Sequence, residues 1–292
     1  MSTTSGNRGL AAVILAFAIW GLFPVYWKQL AQVDALELLF LRLVLTAGTC
    51  LILMPVRGSW PAFREASTSL RQLRTSALAA VLLAGNWFAF IWAVNTGNVL
   101  ESSLGYFLCP ILSILLGRLA ENESMGKRQW LAVISALSGV LIIITLAGRI
   151  PLAAIVIAVT WSSYGLMKKR SDLGPIVGLG LETSLLCPLA LLAIIWLGAN
   201  ASMTLPGAGT TTFAYLTVSG ALTALPLLLF AYAVPRIRLT TMGMGQFIVP
   251  SAHFALAVLY GEPITPSVLM GFALIWTGLA IYAWPDPATE SH

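Results

Sequence analysis

The chain has 292 residues, 58% of them hydrophobic and only 9% charged, with a mean hydropathy of +0.88. A water-soluble domain carries about 25% charged residues, so this composition excludes one and points to an integral membrane protein. The net charge of +5 is spread over short connections with no basic stripe between aromatics, which excludes a nucleic-acid surface.

A helix crossing a bilayer needs roughly 20 apolar residues. Ten such spans are expected, at 10–28, 36–56, 76–96, 101–119, 128–147, 151–169, 175–197, 212–233, 240–260 and 266–284. The first follows a short basic start like that of a signal peptide, but the spans behind it obey a consistent charge rule, so it is read as a retained helix. It contains Trp20, Gly21 and Pro24, which interrupt the helix either to free a carbonyl towards a cavity or, as is common in membrane helices, as a simple packing kink. The second carries Arg42 about seven residues in. A charge at that depth costs roughly 3 kcal/mol or more and has to face the protein interior. The connection 57–75 holds Arg57, Arg64, Arg71 and Arg74.

The third span places Asn86 and Phe90 on one face with Trp87 beside it. An amide among aromatics suits an amphipathic organic solute, and the structural alternative is an interhelical hydrogen bond. "NVLE" (98–101) reads as an N-cap with a reaching carboxylate, placing Glu101 at the start of the fourth span, near its mouth. Tyr106 and Pro110 follow in that span. Glu182 in the seventh span stands 140 residues after Arg42. The two are read as a charge pair at the cavity edge, engaged by solute or proton, or as a buried structural ion pair. In the ninth span Gln246 and Pro250 match Tyr106 and Pro110, and His253 is ranked below them as a packing residue.

Counting by side, thirteen Lys and Arg fall on the face of the N-terminus, and Lys28 and Arg149 on the other. The positive-inside rule then puts both termini in the cytoplasm. Shifted by about 140 residues, the chain meets itself at Gly105 and Gly245, Phe107 and Phe247, and Pro110 and Pro250. Trp20 and Lys28 likewise match Trp161 and Lys169. Five spans per copy force the second copy, 148–292, to run inverted to the first, 1–147. Such inverted repeats are a recurrent plan of secondary transporters.

"AIWGLFPVYWK" (18–28), "GNWFAFIWAVN" (85–95), "ESSLGYF" (101–107), "QWLAVISALSGVL" (129–141), "YGLMKK" (164–169), "FIVP" (247–250) and "YGE" (260–262) resemble the RarD group of EamA transporters, in the drug/metabolite transporter superfamily. The resemblance spans essentially the whole chain. It implies an all-α bacterial inner-membrane protein of ten helices in two inverted five-helix repeats around a central cavity. Tyr26 and Tyr164 stand inside these motifs and join Trp20, Arg42, Asn86, Trp87, Phe90, Tyr106, Glu182 and Gln246 as candidate cavity-lining residues. Pro24, Glu101, Pro110 and Pro250 are the candidate gating positions. Where the second copy reads "YGE", the first reads "AENE", ending at Glu123.

The expected function is export of small organic solutes by alternating access, with protons a candidate coupling ion and one chain sufficient for a pathway. A membrane-embedded enzyme or a non-transporting scaffold is the alternative. No HExxH, GxSxG or phosphate-binding loop occurs, and Cys50, Cys109 and Cys187 sit singly in apolar runs, so no cofactor or metal is expected.

Overall fold

The computed structural model describes residues 3–95, 99–145, 152–200, 203–261 and 264–284. Among them the chain forms twelve α-helices and no strand: α1 (Thr3–Trp27), α2 (Ala35–Val56), α3 (Trp60–Thr68), α4 (Leu70–Asn95), α5 (Val99–Ala120), α6 (Lys127–Thr145), α7 (Leu152–Lys169), α8 (Pro175–Ala199), α9 (Thr210–Ala233), α10 (Leu239–Gln246), α11 (Ile248–Leu259) and α12 (Pro266–Ala283). Eight segments are long and apolar enough to cross a membrane, with α10 and α11 forming one of them, and Gly105–Ala120 within α5 is a shorter apolar helix. This is a multi-pass membrane protein.

Local chemistry sets the ends. Asp34 accepts the amides of Leu36 (2.9 Å) and Glu37 (3.2 Å), capping α2. Gly58, at φ +63°, turns the chain just past the end of α2. The stretch 57–75, read from sequence as a connection, contains α3, which starts at Trp60 with Pro61 in its first turn. Phe63 and Ala66 of α3 pack on Val177 and Leu181 of α8.

The proline expectations are met unevenly. α1 runs unbroken past Gly21 and Pro24, and α5 runs unbroken past Pro110. A proline three turns or more from a helix start only loses one bond, and flanking turns hold the helix together. The ninth span does break: α10 ends at Gln246 and α11 begins at Ile248. Pro250 lacks the N–H that would close on the Gln246 carbonyl, four residues back.

Two faces can be told apart by the connections that meet there. On one, Arg71 pairs with Asp172 (3.1 Å), Arg170 with Glu121 (2.7 Å), and Lys169 donates to the Ile237 carbonyl. On the other, Glu37 accepts the Thr204 amide (2.7 Å) and Lys28 lies over the Tyr260 ring (4.4 Å). The first of these is the basic face.

Helix contacts link the two halves of the chain. α2 packs on α8, α5 on α10, and α6 on α12. α4 packs on α7 as α1 does on α9, and α5 packs on α7 as α1 does on α11. The α6–α12 contact is backbone to backbone, since a Cβ on Gly139 would lie 2.3 Å from the Gly271 carbonyl and one on Gly278 2.6 Å from that of Ala132.

Candidate functional site: a central cavity

Residues of α1, α2, α4, α5, α7, α9, α10 and α11 enclose a cavity of about 330 Å³. On α1, Trp20, Pro24 and Trp27 fall at spacings of four and three and so share its inner face. Phe17 lies below them and is fully buried. From the other helices come Arg42, Asn86, Trp87, Phe90, Tyr106, Trp161 and Gln246. The lining is aromatic with a few polar groups, the composition of a small-molecule site.

Arg42 is held between two indoles, its guanidinium carbon 5.1 Å from the Trp27 ring centroid and 4.7 Å from that of Trp87. Its Nε finds no hydrogen-bond partner among the described residues. Three other lining residues share that state: Thr223 at Oγ1, Gln246 at Oε1 and His253 at Nε2. Buried polar atoms normally have partners, and these four stand in the wall of one void.

Two lining amides also serve the scaffold. Asn86 donates to the Ile157 carbonyl (3.0 Å) and to Thr160 Oγ1 (3.3 Å), tying α4 to α7. The interhelical alternative therefore holds for its NH₂ group, and only Oδ1 is left for a solute. Gln246 Nε2 donates to Ser113 (2.8 Å), whose hydroxyl reaches Ser162 (3.2 Å).

The floor is an aromatic stack. Trp20 and Trp161 meet edge to face at 5.2 Å, and Trp161 packs on Phe230 (5.1 Å) and Tyr164 (5.7 Å). Below it, towards the basic face, Glu182 accepts from the Tyr164 hydroxyl (3.0 Å) and from Lys168. Lys168 and Glu182 are 4% and 3% exposed, so the pair is shut off from water as well as from the cavity. Past the floor, Leu179, Met242 and Met54 complete the seal.

Several sequence-predicted residues lie elsewhere. Glu182 does not meet Arg42: it sits near the basic end of α8, where Lys168 is the nearer cation, and Arg42 is left to the tryptophans. Tyr164 is fully buried under the floor rather than lining the void. Tyr26 points off the inner face of α1 and donates to the Tyr215 carbonyl, in a shallow groove against α9. Pro110 and Pro250 lie outside the lining, although the residues four before each, Tyr106 and Gln246, belong to it. Glu101 falls in α5, but its side chain and the whole of Asn98 lie outside the described residues.

Sequence reasoning left Trp161 and Lys168 out of the candidates and ranked His253 low, and the structure puts Trp161 and His253 in the cavity lining. Trp161 had a signal, its match to Trp20, and the two rings are in contact. His253 stands in the cavity wall, with Nε2 unpartnered among the described residues. Lys168 stands in a basic cluster that reads only as a positive connection.

The EamA-like transporter family matches residues 7–145. "Protein RarD" of Escherichia coli (strain K12) is 34% identical over 283 residues, covering 97% of this chain and 96% of that one. The chain belongs to the RarD group of EamA transporters. Its similarity to "Uncharacterized transporter YojE" of Bacillus subtilis (strain 168) is 36% identity over 301 residues and the whole of both chains. "Chloramphenicol-sensitive protein RarD" of Pseudomonas aeruginosa is 30% identical over 288 residues, 95% of this chain and 94% of that one. In fold, this RarD-group chain superposes on a solved crystal structure with a TM-score of 0.72, over 97% of this chain and 98% of that one, at 18% identity.

Proposed function

We propose that the chain is a secondary transporter that exports small organic solutes across the bacterial inner membrane by alternating access. In this reading ten helices cross the membrane, α10 and α11 together forming the ninth, as two inverted five-helix repeats, 1–147 and 148–292. Both termini are cytoplasmic. The observation that carries it is the cavity itself: a void of about 330 Å³ between the two halves, closed towards the basic face by the aromatic floor and the Lys168–Glu182 pair. The positive-inside rule makes that face cytoplasmic, so the cavity belongs to the outward-facing side of the cycle.

The repeat is supported by the paired contacts, α4 on α7 with α1 on α9, and α5 on α7 with α1 on α11. It is supported too by repeat-matched Trp20 and Trp161 meeting at the centre. Opening to the cytoplasm would part the floor and separate Lys168 from Glu182. A carboxylate released from its cation into water is a proton acceptor, which gives coupling to protons a place to act. The name of the Pseudomonas relative makes chloramphenicol a compound to include among candidate solutes.

The test is uptake into inside-out vesicles bearing the protein, using labelled amino acids, organic acids, chloramphenicol and other amphipathic drugs, with and without a proton gradient. Accumulation above protein-free vesicles is expected for at least one compound. Glu182→Gln is expected to lose the dependence on the gradient. No accumulation of any compound would sink the transport reading, and gradient dependence retained in Glu182→Gln would reduce Glu182 to a structural partner of Lys168.

A further inference from the structure

We infer that the cavity selects aromatic organic anions, a planar apolar body bearing one carboxylate and no cationic group, and that Arg42 is the residue that reads the anion. The inference rests on the transport reading for its biological sense, but it concerns binding and is tested by binding alone.

Charge comes first. Arg42 is the one fixed charge among the described lining residues, and none of them is acidic. The well-buried carboxylates among the described residues are committed elsewhere: Glu182 to Lys168, Glu37 to Thr204 and Leu205, and Glu123 to Leu239 and Thr240. A guanidinium in a space walled by indoles and other apolar groups is poorly hydrated, and its field is little screened. An anion entering there relieves that cost, whereas an ammonium group meets the same charge as its own.

Geometry then says how. Trp27 and Trp87 cover the guanidinium at 5.1 and 4.7 Å. A cation held over rings makes no hydrogen bond to them, so the guanidinium keeps its N–H donors, and Nε has no partner among the described residues. A carboxylate binds the donor fork of a guanidinium through two parallel hydrogen bonds. The two ring contacts also restrict the side chain, so less of its freedom is lost when the anion arrives.

The rest of the cavity suits the remaining part of such a solute. Trp20, Phe90 and Trp161 offer ring edges and faces to a flat apolar body. Thr223 and Gln246 place unpaired oxygens in the wall, buried beneath its surface. His253 Nε2 is a further polar atom on that wall.

The experiment uses the purified full-length chain in lipid nanodiscs and four indole probes of nearly equal size: indole-3-acetate, indole-3-acetamide, tryptamine and tryptophan. Calorimetric titration is expected to give a Kd for the acetate at least about tenfold below that of the amide, in line with a charge-assisted pair. Tryptophan should fall between them and tryptamine should bind weakest. In Arg42→Gln the acetate should lose its advantage over the amide. Arg42→Lys should retain only part of the preference, because an ammonium lacks the fork.

Equal Kd values across the four probes, a preference for tryptamine, tryptophan matching the acetate, or an anion preference that survives in Arg42→Gln would each overturn the inference. So would no binding by any probe. The ligand series on the unaltered protein carries the test even if a variant fails to fold. A cavity that ignores charge yet transports drugs in vesicles would leave the transport reading standing.

Discussion

Arg42 and Glu182 stand 140 residues apart in sequence, and the structure gives them unlike surroundings. The arginine faces a void between two tryptophans, and the glutamate is sealed against Lys168. Removing one member of a buried pair leaves the other charged and unpaired, which costs about 3–5 kcal/mol, whereas replacing both with apolar groups is often neutral. Glu182→Leu is therefore expected to lower the unfolding temperature of the detergent-solubilised protein strongly. The double variant Lys168→Met, Glu182→Leu should recover most of the loss, and a double variant as unstable as the single one would show that the pair is not the source. Sequence placed both charges in the interior because neither can face lipid. It could not choose their partners, since a depth read along a helix says nothing about rotation around it. The same blindness put Tyr26 and Tyr164 in the cavity, for a motif match fixes position in the chain and not the direction of a side chain.

At the scale of elements, apolar runs of spanning length made the helices legible almost to their ends, and the ninth span shows what they leave out. Its break at Phe247 follows from Pro250, while Pro110 in the matching helix leaves α5 whole. Pro250→Ala restores the missing donor and is expected to slow transport several-fold while leaving solute Kd unchanged, as measured by initial rates beside equilibrium binding. An unaltered rate would deny the break any part in the cycle. The "AENE" that departs from the second copy's "YGE" also finds its reason. Glu123 accepts the amides of Leu239 (2.6 Å) and Thr240 (2.9 Å) and so caps α10, a helix of the other half. No local pattern announces a cap supplied from more than a hundred residues away. The α6–α12 seam is equally silent in sequence. Gly139→Ala should destabilise the protein by about 1–3 kcal/mol, because the new methyl meets the Gly271 carbonyl rather than a yielding side chain. A thermal unfolding midpoint unchanged in that variant would contradict the seam.

For the whole molecule, the alternation of helices puts Ser124 and Gln29 at opposite faces, and both are exposed. With the native cysteines replaced, Ser124→Cys should react with a membrane-impermeant maleimide only in inside-out vesicles, and Gln29→Cys only in intact cells. The reverse pattern would invert the assigned orientation and turn the cavity towards the cytoplasm. Between the two faces one residue belongs to both halves of the closure. The Tyr164 ring stacks on Trp161, which lines the cavity, and its hydroxyl donates to Glu182, which lies outside that lining. A hydrogen bond to a charged group contributes about 1.5–3 kcal/mol, and 1.4 kcal/mol is a tenfold change in a two-state ratio. Tyr164→Phe keeps the floor and drops that link, so it should shift the resting distribution towards the inward-open form by roughly tenfold or more. In the proposed cycle, one hydroxyl thus biases which side of the membrane the empty protein faces.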